Sequence, residues 1–215
     1  MTIEEVFSQI YHTNQWGNEE TPSGPGSSID QTKSLVENLN LLIANLRIQT
    51  VLDIPCGDFN WIRNLDLRTL QYTGADIVKD LILRNKATYE TKRIQFEHRD
   101  LTKDFLPQTD LVINRDCLVH FCFNDIEKAI TNIIISKSTY LLTTTFPGQT
   151  HNYDIVTGDW RPINLQLPPF DFPKPLQMIT ESFEAEFEKY NRGKALALWK
   201  IADLKLLPRF AKGST

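Results

Sequence analysis

Two acids in this chain each close an apolar run. Asp53 ends Val51-Leu52-Asp53 and is followed at once by Ile54-Pro55-Cys56-Gly57-Asp58, a tight turn with one glycine. Asp76 ends Tyr72-Thr73-Gly74-Ala75-Asp76. Each run reads as a buried strand. The pattern therefore sets a turn and two carboxylates at the carboxyl edge of a parallel sheet, where open α/β folds bind nucleotide-like ligands. An ionised carboxylate accepts hydrogen bonds from hydroxyls through two oxygens. The pair makes the chain a candidate cofactor enzyme.

The elements that must position these acids follow from hydrophobic periodicity. Residues 2–16 predict a short helix with Ile3, Val6, Phe7 and Ile10 on one face. A polar, glycine-rich stretch over 18–28 follows. A second helix opens at Ser28 or Asp30 as its cap and carries Leu35, Leu39, Leu42, Ile43 and Leu46. Strands are then expected at 50–54, 72–75, 94–97, 109–114 and 139–146. A short helical turn falls in 60–65 and helices at 78–89 and 124–135, with Asn124 as the N-cap of the last. Such alternation implies parallel strands joined by right-handed crossovers. Residues 147–176 break the rhythm with six of the eleven prolines. A loop of this length inside a domain is usually a lid or a binding loop, and its aromatics argue against disorder. Residues 179–190 and 195–204 close the chain as two strand-like segments around a turn at 191–194. The whole is expected to be one domain over 1–210 with a disordered tail at 211–215.

Composition narrows the class. The chain has 215 residues, 41% apolar and 23% charged, enough for one well-buried α/β domain. A formal net charge of −4 argues against a broad phosphate-binding surface but leaves room for a local basic groove. No apolar run approaches the about 20 residues that span a bilayer, and the start of the sequence lacks the pattern of a signal peptide. Three cysteines without a disulfide framework point to reduced thiols in a cytoplasm. Cys117 and Cys122 lack zinc-ribbon spacing. The expected partner is a small-molecule substrate, with no nucleic acid and no membrane, in a monomer or homodimer.

Five parallel strands finished by an antiparallel hairpin, with acids after the first two, resemble the class I S-adenosylmethionine-dependent methyltransferases over roughly residues 51–204. The resemblance implies a Rossmann-like, seven-stranded, mostly parallel sheet with helices on both faces. Asp53-Ile54-Pro55-Cys56-Gly57-Asp58 is similar to the family's first motif, an acid-x-Gly-x-Gly turn. Here Pro55 takes the first glycine position, Gly57 keeps the middle one and Phe59 stands at the last. By the same resemblance Asp76 would bind the ribose hydroxyls of S-adenosylmethionine and Ile77 would pack on the adenine. Asp100 and Leu101 would sit at the adenine edge, Asn114 and Arg115 near the methionine end, and Trp61 in the same pocket. The lead-in, with Trp16-Gly17, Ser23-Gly24-Pro25-Gly26-Ser27-Ser28 and Gln31-Thr32, is similar to a bacterial group of small methyltransferases associated with sugars and surface glycans. It implies that Trp16, Gly24, Ser27 and Thr32 belong to a cofactor lid over residues 1–32 or hold the methionine carboxylate.

Methyl transfer from a sulfonium aligns an acceptor in line and often removes its proton. For a hydroxyl acceptor His120 is the first candidate base, with Asp116 to orient it, and His151 is the rival. His12 and His98 read as structural. In the proline-rich loop Asn152, Tyr153, Asp154, Trp160, Arg161 and Asn164 suit a hydroxyl-rich or carboxylated substrate. A divalent ion on Asp116, Asp125 and Asp154 is conceivable, but no acid cluster demands a metal. The expected activity is O-methylation of a small polar metabolite, sugar or glycan precursor. The rival readings are a nicotinamide-dependent oxidoreductase, which would lack its Gly-x-Gly-x-x-Gly turn, and a non-catalytic binding protein whose pocket Pro55 and Phe59 block.

Overall fold

The computed structural model describes residues 1–17, 19–181 and 193–207. Its strands are β1 (Thr50–Asp53), β2 (Gln71–Asp76), β3 (Ile94–His98), β4 (Leu111–Asn114), β5 (Tyr140–Thr145), β6 (Gln177–Thr180) and β7 (Ala195–Lys200). They form one sheet in the order β3-β2-β1-β4-β5-β7-β6. Pairings among the first five strands are parallel, and β7 runs antiparallel between β5 and β6. The chain steps outward from β1 to β3 and then returns to β4 on the other side of β1. Strand order therefore reverses beside β1, at the kind of crevice where such sheets take ligands.

Side chains alternate faces along each strand, and this divides the core in two. Val51, Leu111, Ile113, Leu142, Leu196 and Leu198 pack with helix α2 (Ile29–Leu46) and with Ile82 of α3 (Lys79–Tyr89). Leu52, Val112, Leu141, Ala197 and Trp199 pack on the other face with Ile126, Ala129, Ile130 and Ile133 of α4 (Phe123–Ile135). Ile163, Leu165, Phe170 and Phe172 of the proline-rich segment complete that second layer.

Three local expectations are corrected. The first helix, α1, spans Ile3–His12 and stops short of Trp16, with Thr2 and Glu5 forming a capping box. At α2, Ser28 holds the N-cap position without a side-chain bond, and Glu20 instead accepts the Ile29 N–H at 2.8 Å. At α4 the N-cap is Cys122 rather than Asn124, because Asp154 reaches across to accept the Phe123 N–H at 2.7 Å. Asn18, most of the expected strand at 179–190 and the tail at 211–215 lie outside the described residues. Among the described residues no helix is long and apolar enough to cross a membrane.

Candidate active site

A crevice opens along the carboxyl ends of β2, β1 and β4. Three turns, α1 and four residues between α1 and α2 build it. After β1, the segment Ile54-Pro55-Cys56-Gly57 lines one wall, with Gly57 at φ 54°. That left-handed backbone favours glycine, and a Cβ on Gly57 would overlap the Ser23 hydroxyl. After β2, Asp76, Ile77 and Val78 line the next wall, followed by Asp100 and Leu101 after β3. After β4 come Arg115, Asp116 and Cys117, with His120 and Phe121 beyond them. Phe59 does not obstruct the crevice. It packs inward against Tyr72, Tyr89 and Phe96.

The remaining wall comes from α1 and from Trp16, Pro22, Ser23 and Ser27. Phe7 and Tyr11, four residues apart on one helical face, both line the crevice. His12 pairs with Asp80 at 3.4 Å and Glu4 with His98 at 3.2 Å, so α1 is clasped to α3 and to the end of β3. Ser23 donates to Asp58 at 3.0 Å, and the Asn60 amide donates to Glu20 at 2.6 Å and to the Ser27 carbonyl at 3.3 Å. Arg115 donates to the Gly26 carbonyl at 2.8 Å and lies over the Trp61 ring. Trp16 sits beside His120, with ring centroids 5.0 Å apart.

Asp76 is the acid at the centre. One of its oxygens accepts the Gly57 N–H at 3.1 Å and the other the Val78 N–H at 3.0 Å. Each carboxylate oxygen has room for a further donor. Burial raises its pKa to about 6, and the backbone donors only partly offset this. Asp53 is different. Its carboxylate turns into the protein, accepts the Tyr72 hydroxyl at 2.7 Å and does not line the crevice. Burial, opposed by that bond and reinforced by Asp76, raises its pKa to about 7.

Arg115, Glu181 and Lys194, all buried, join the half-buried Asp116 in a network of two cations and two anions. Lys194 meets Asp116 at 2.6 Å, Arg115 meets Glu181 at 2.6 Å and Asp116 at 3.2 Å, and Lys194 lies 3.5 Å from Glu181. Burial alone would raise the Asp116 pKa, but Lys194 and Arg115 more than offset it and hold the carboxyl well below the usual range. Asp116 is thus a fixed anion and a poor proton acceptor. His120 Nδ1 lies 2.9 Å from the Asp159 carbonyl. A carbonyl only accepts, so Nδ1 carries the hydrogen and Nε2 of the neutral ring keeps its lone pair. Burial lowers the His120 pKa below the ordinary value, which keeps that lone pair available near neutral pH. Burial also pushes the Cys117 thiol up to about 12, so it stays protonated.

The expected cofactor set divides accordingly. Trp16, Ser27, Pro55, Gly57, Trp61, Asp76, Ile77, Asp100, Leu101 and Arg115 converge on the crevice. Gly24, Thr32, Asp53 and Asn114 do not line it. Thr32 bonds back to the Ser28 carbonyl, Gly24 packs against Trp16, and Asn114 ties the Ile54 carbonyl to Thr143 across three strands.

The expected substrate residues all lie away from the crevice. Asn152 and Asn164 bond to loop carbonyls. Arg161, 0% exposed, donates to the Leu118 and Phe121 carbonyls, and Asp154 caps α4. Trp160 packs edge-on to Phe146, while Tyr153 lies beside His151 on the surface. Polar residues in a long loop are first claimed by the loop's own backbone. Among the described residues no three His, Cys, Asp or Glu side chains gather as a metal site. Missed from sequence were Tyr11, Ser23, Glu181 and Lys194. Tyr11 carried a signal in its spacing from Phe7, and Ser23 in its place in the Gly/Ser lead-in. Lys194 finds Asp116 across 78 residues.

No family model matches the chain, and no curated protein sequence does. Solved structures do. The chain is similar to the N-methyltransferase NodS from Bradyrhizobium japonicum WM9, solved with S-adenosyl-L-homocysteine, at 14% identity and TM-score 0.63, covering 89% of this chain and 97% of that one. It is similar to magnesium protoporphyrin IX methyltransferase from Synechocystis PCC 6803, also with bound S-adenosylhomocysteine, at 11% identity and TM-score 0.60, covering 92% and 97%. It is also similar to the 1,6-didemethyltoxoflavin-N1-methyltransferase of Burkholderia thailandensis at 13% identity and TM-score 0.61, covering 92% and 86%. At such identities the likeness concerns the fold, which is the Rossmann-like fold of these methyltransferases.

Proposed function

We propose that the crevice binds S-adenosylmethionine and that the protein is a methyltransferase acting on an oxygen of a small metabolite. The observation that carries this reading is Asp76, a buried carboxylate facing the crevice with unused acceptor capacity on both oxygens. Two hydroxyls would satisfy it and relieve the burial that raises its pKa. The Gly57 turn suits a ligand without a pyrophosphate, and Ile77 and Leu101 offer apolar walls to a base. When bound, the cofactor supplies an electrophilic methyl group.

The chain's own residues then divide the work. Asp76 orients the ribose end, and α1 with Trp16 excludes water. The Arg115–Asp116–Glu181–Lys194 network holds the floor below the lid. His120, its Nδ1 held by the Asp159 carbonyl, presents Nε2 as the base for a hydroxyl acceptor. The proline-rich loop acts through that carbonyl and through Arg161, which fix the turn carrying His120. The neighbouring structures include enzymes acting on nitrogen and on a porphyrin, and the oxygen acceptor here rests on the histidine alone. A sugar or glycan precursor remains our proposed acceptor class on the similarity of the lead-in.

Calorimetry with S-adenosylhomocysteine tests the cofactor. Micromolar or tighter binding is expected, and Asp76→Ala should weaken it at least about 100-fold, since each hydrogen bond to a charged group contributes about 1.5–3 kcal/mol. Absence of binding, with a nicotinamide dinucleotide binding instead, would overturn the reading.

A further inference from the structure

A second concavity lies at the opposite edge of the sheet, where the chain enters β2 and β3. It is open to solvent and is lined by Arg63, Arg68, Lys92 and Arg93, with Asp66 as its one acid and Tyr89 on its wall. Four cations face one anion there, in a chain whose acids outnumber its Lys and Arg by 27 to 23. Asp66 is already engaged by Arg68, through bonds of 2.8 and 2.7 Å. Arg63 makes three long bonds, to the Asn60 carbonyl and side chain and to the Tyr89 hydroxyl at 3.1, 3.3 and 3.4 Å, and keeps further N–H groups. The Lys92 and Arg93 side chains have no hydrogen-bonding or ionic partner among the described residues. A groove lined by one sign of charge focuses its potential and concentrates counter-ions. Lining charge of about +3, with arginine forks able to grip oxyanions in pairs, matches a ligand carrying several phosphate charges.

We propose that this groove is a second binding site, for a phosphorylated small molecule bearing two or more phosphate charges. It lies apart from the crevice, and nothing in the methyl-transfer reading depends on it. Phosphates would sit between Lys92, Arg93 and the free edge of Arg63, with Tyr89 beside them.

The test uses the full chain, inorganic tripolyphosphate as the probe, and backbone amide shifts at residues 63–68 and 89–94 as the readout. Saturable shifts confined to those amides are expected at physiological salt, weakening as salt rises. Lys92→Glu with Arg93→Glu should weaken binding by about tenfold or more, equivalent to roughly 1.4 kcal/mol. The milder Lys92→Gln with Arg93→Gln should give an intermediate loss. Unchanged thermal midpoints in both variants guard against unfolding. Shifts spread over the whole surface, or equal binding by the charge-reversed variant, would overturn the proposal. So would affinity for single-stranded RNA that keeps rising with its length, which would make the groove part of a nucleic-acid track.

Discussion

At the scale of single residues, Asp76 and His120 carry separable expectations. Asp76 has a pKa raised to about 6 by burial, and only its ionised form accepts from both ribose hydroxyls with charge-assisted bonds. Affinity for S-adenosylhomocysteine should therefore be flat from neutral pH upward and fall as pH drops through about 6. Calorimetry across that range checks it, and a flat profile down to pH 5 would remove Asp76 from the binding surface. His120→Ala should keep cofactor binding and lose about 100-fold or more in turnover, the usual span of general-base catalysis. Turnover with whichever acceptor a methyl-transfer screen identifies is the measurement, and an unchanged rate would exclude the base role. Asp76 was legible in the sequence because it ends a strand, and a strand end has a fixed place on a parallel sheet. Asp53 ends a strand too, but its neighbour Tyr72 turns it inward, and that pairing across 19 residues has no local signature.

At the scale of elements, the proline-rich segment is a brace. It buries Ile163, Leu165, Phe170 and Phe172 against the sheet and uses Arg161 to hold the Leu118 and Phe121 carbonyls. Arg161→Met should destabilise the protein by about 1–3 kcal/mol, because the buried Phe121 carbonyl loses its donor, while the Leu118 carbonyl keeps the Phe121 N–H. Urea unfolding measures it, and a change under about 0.5 kcal/mol would show that the brace is dispensable. The composition of this loop pointed to substrate contacts because it mixes amides, charges and rings. Those groups are consumed by backbone carbonyls of the same loop and by the start of α4, which only the folded path of the chain brings within reach. The first helix was legible in part. The amphipathic spacing of Phe7 was plain, but whether that face met core or crevice was not.

At the scale of the whole molecule, Asp53 ties stability to pH. Its folded pKa of about 7 lies above the about 3.9 of an unfolded chain. The folded state thus binds a proton that the unfolded state has lost. The stability this gives is complete below about 3.9 and disappears as pH rises through about 7. Asp53→Asn keeps an acceptor for the Tyr72 hydroxyl without the charge. Urea midpoints of the wild type should fall relative to this variant between pH 5.5 and 8, and parallel curves would refute the buried acid. The alternation of strands and helices and the place of Asp76 at a strand end were legible in the sequence by itself, since periodicity and turn residues are local signals; the seven-stranded, mostly parallel sheet followed from the resemblance, and its strand order came only with the fold. The seat of α1, the Arg115–Asp116–Glu181–Lys194 network and the cationic groove at the far edge were decided only by the tertiary structure. Each joins side chains from segments distant in the chain, and a charge written in a sequence carries no record of the partner that folding will set beside it.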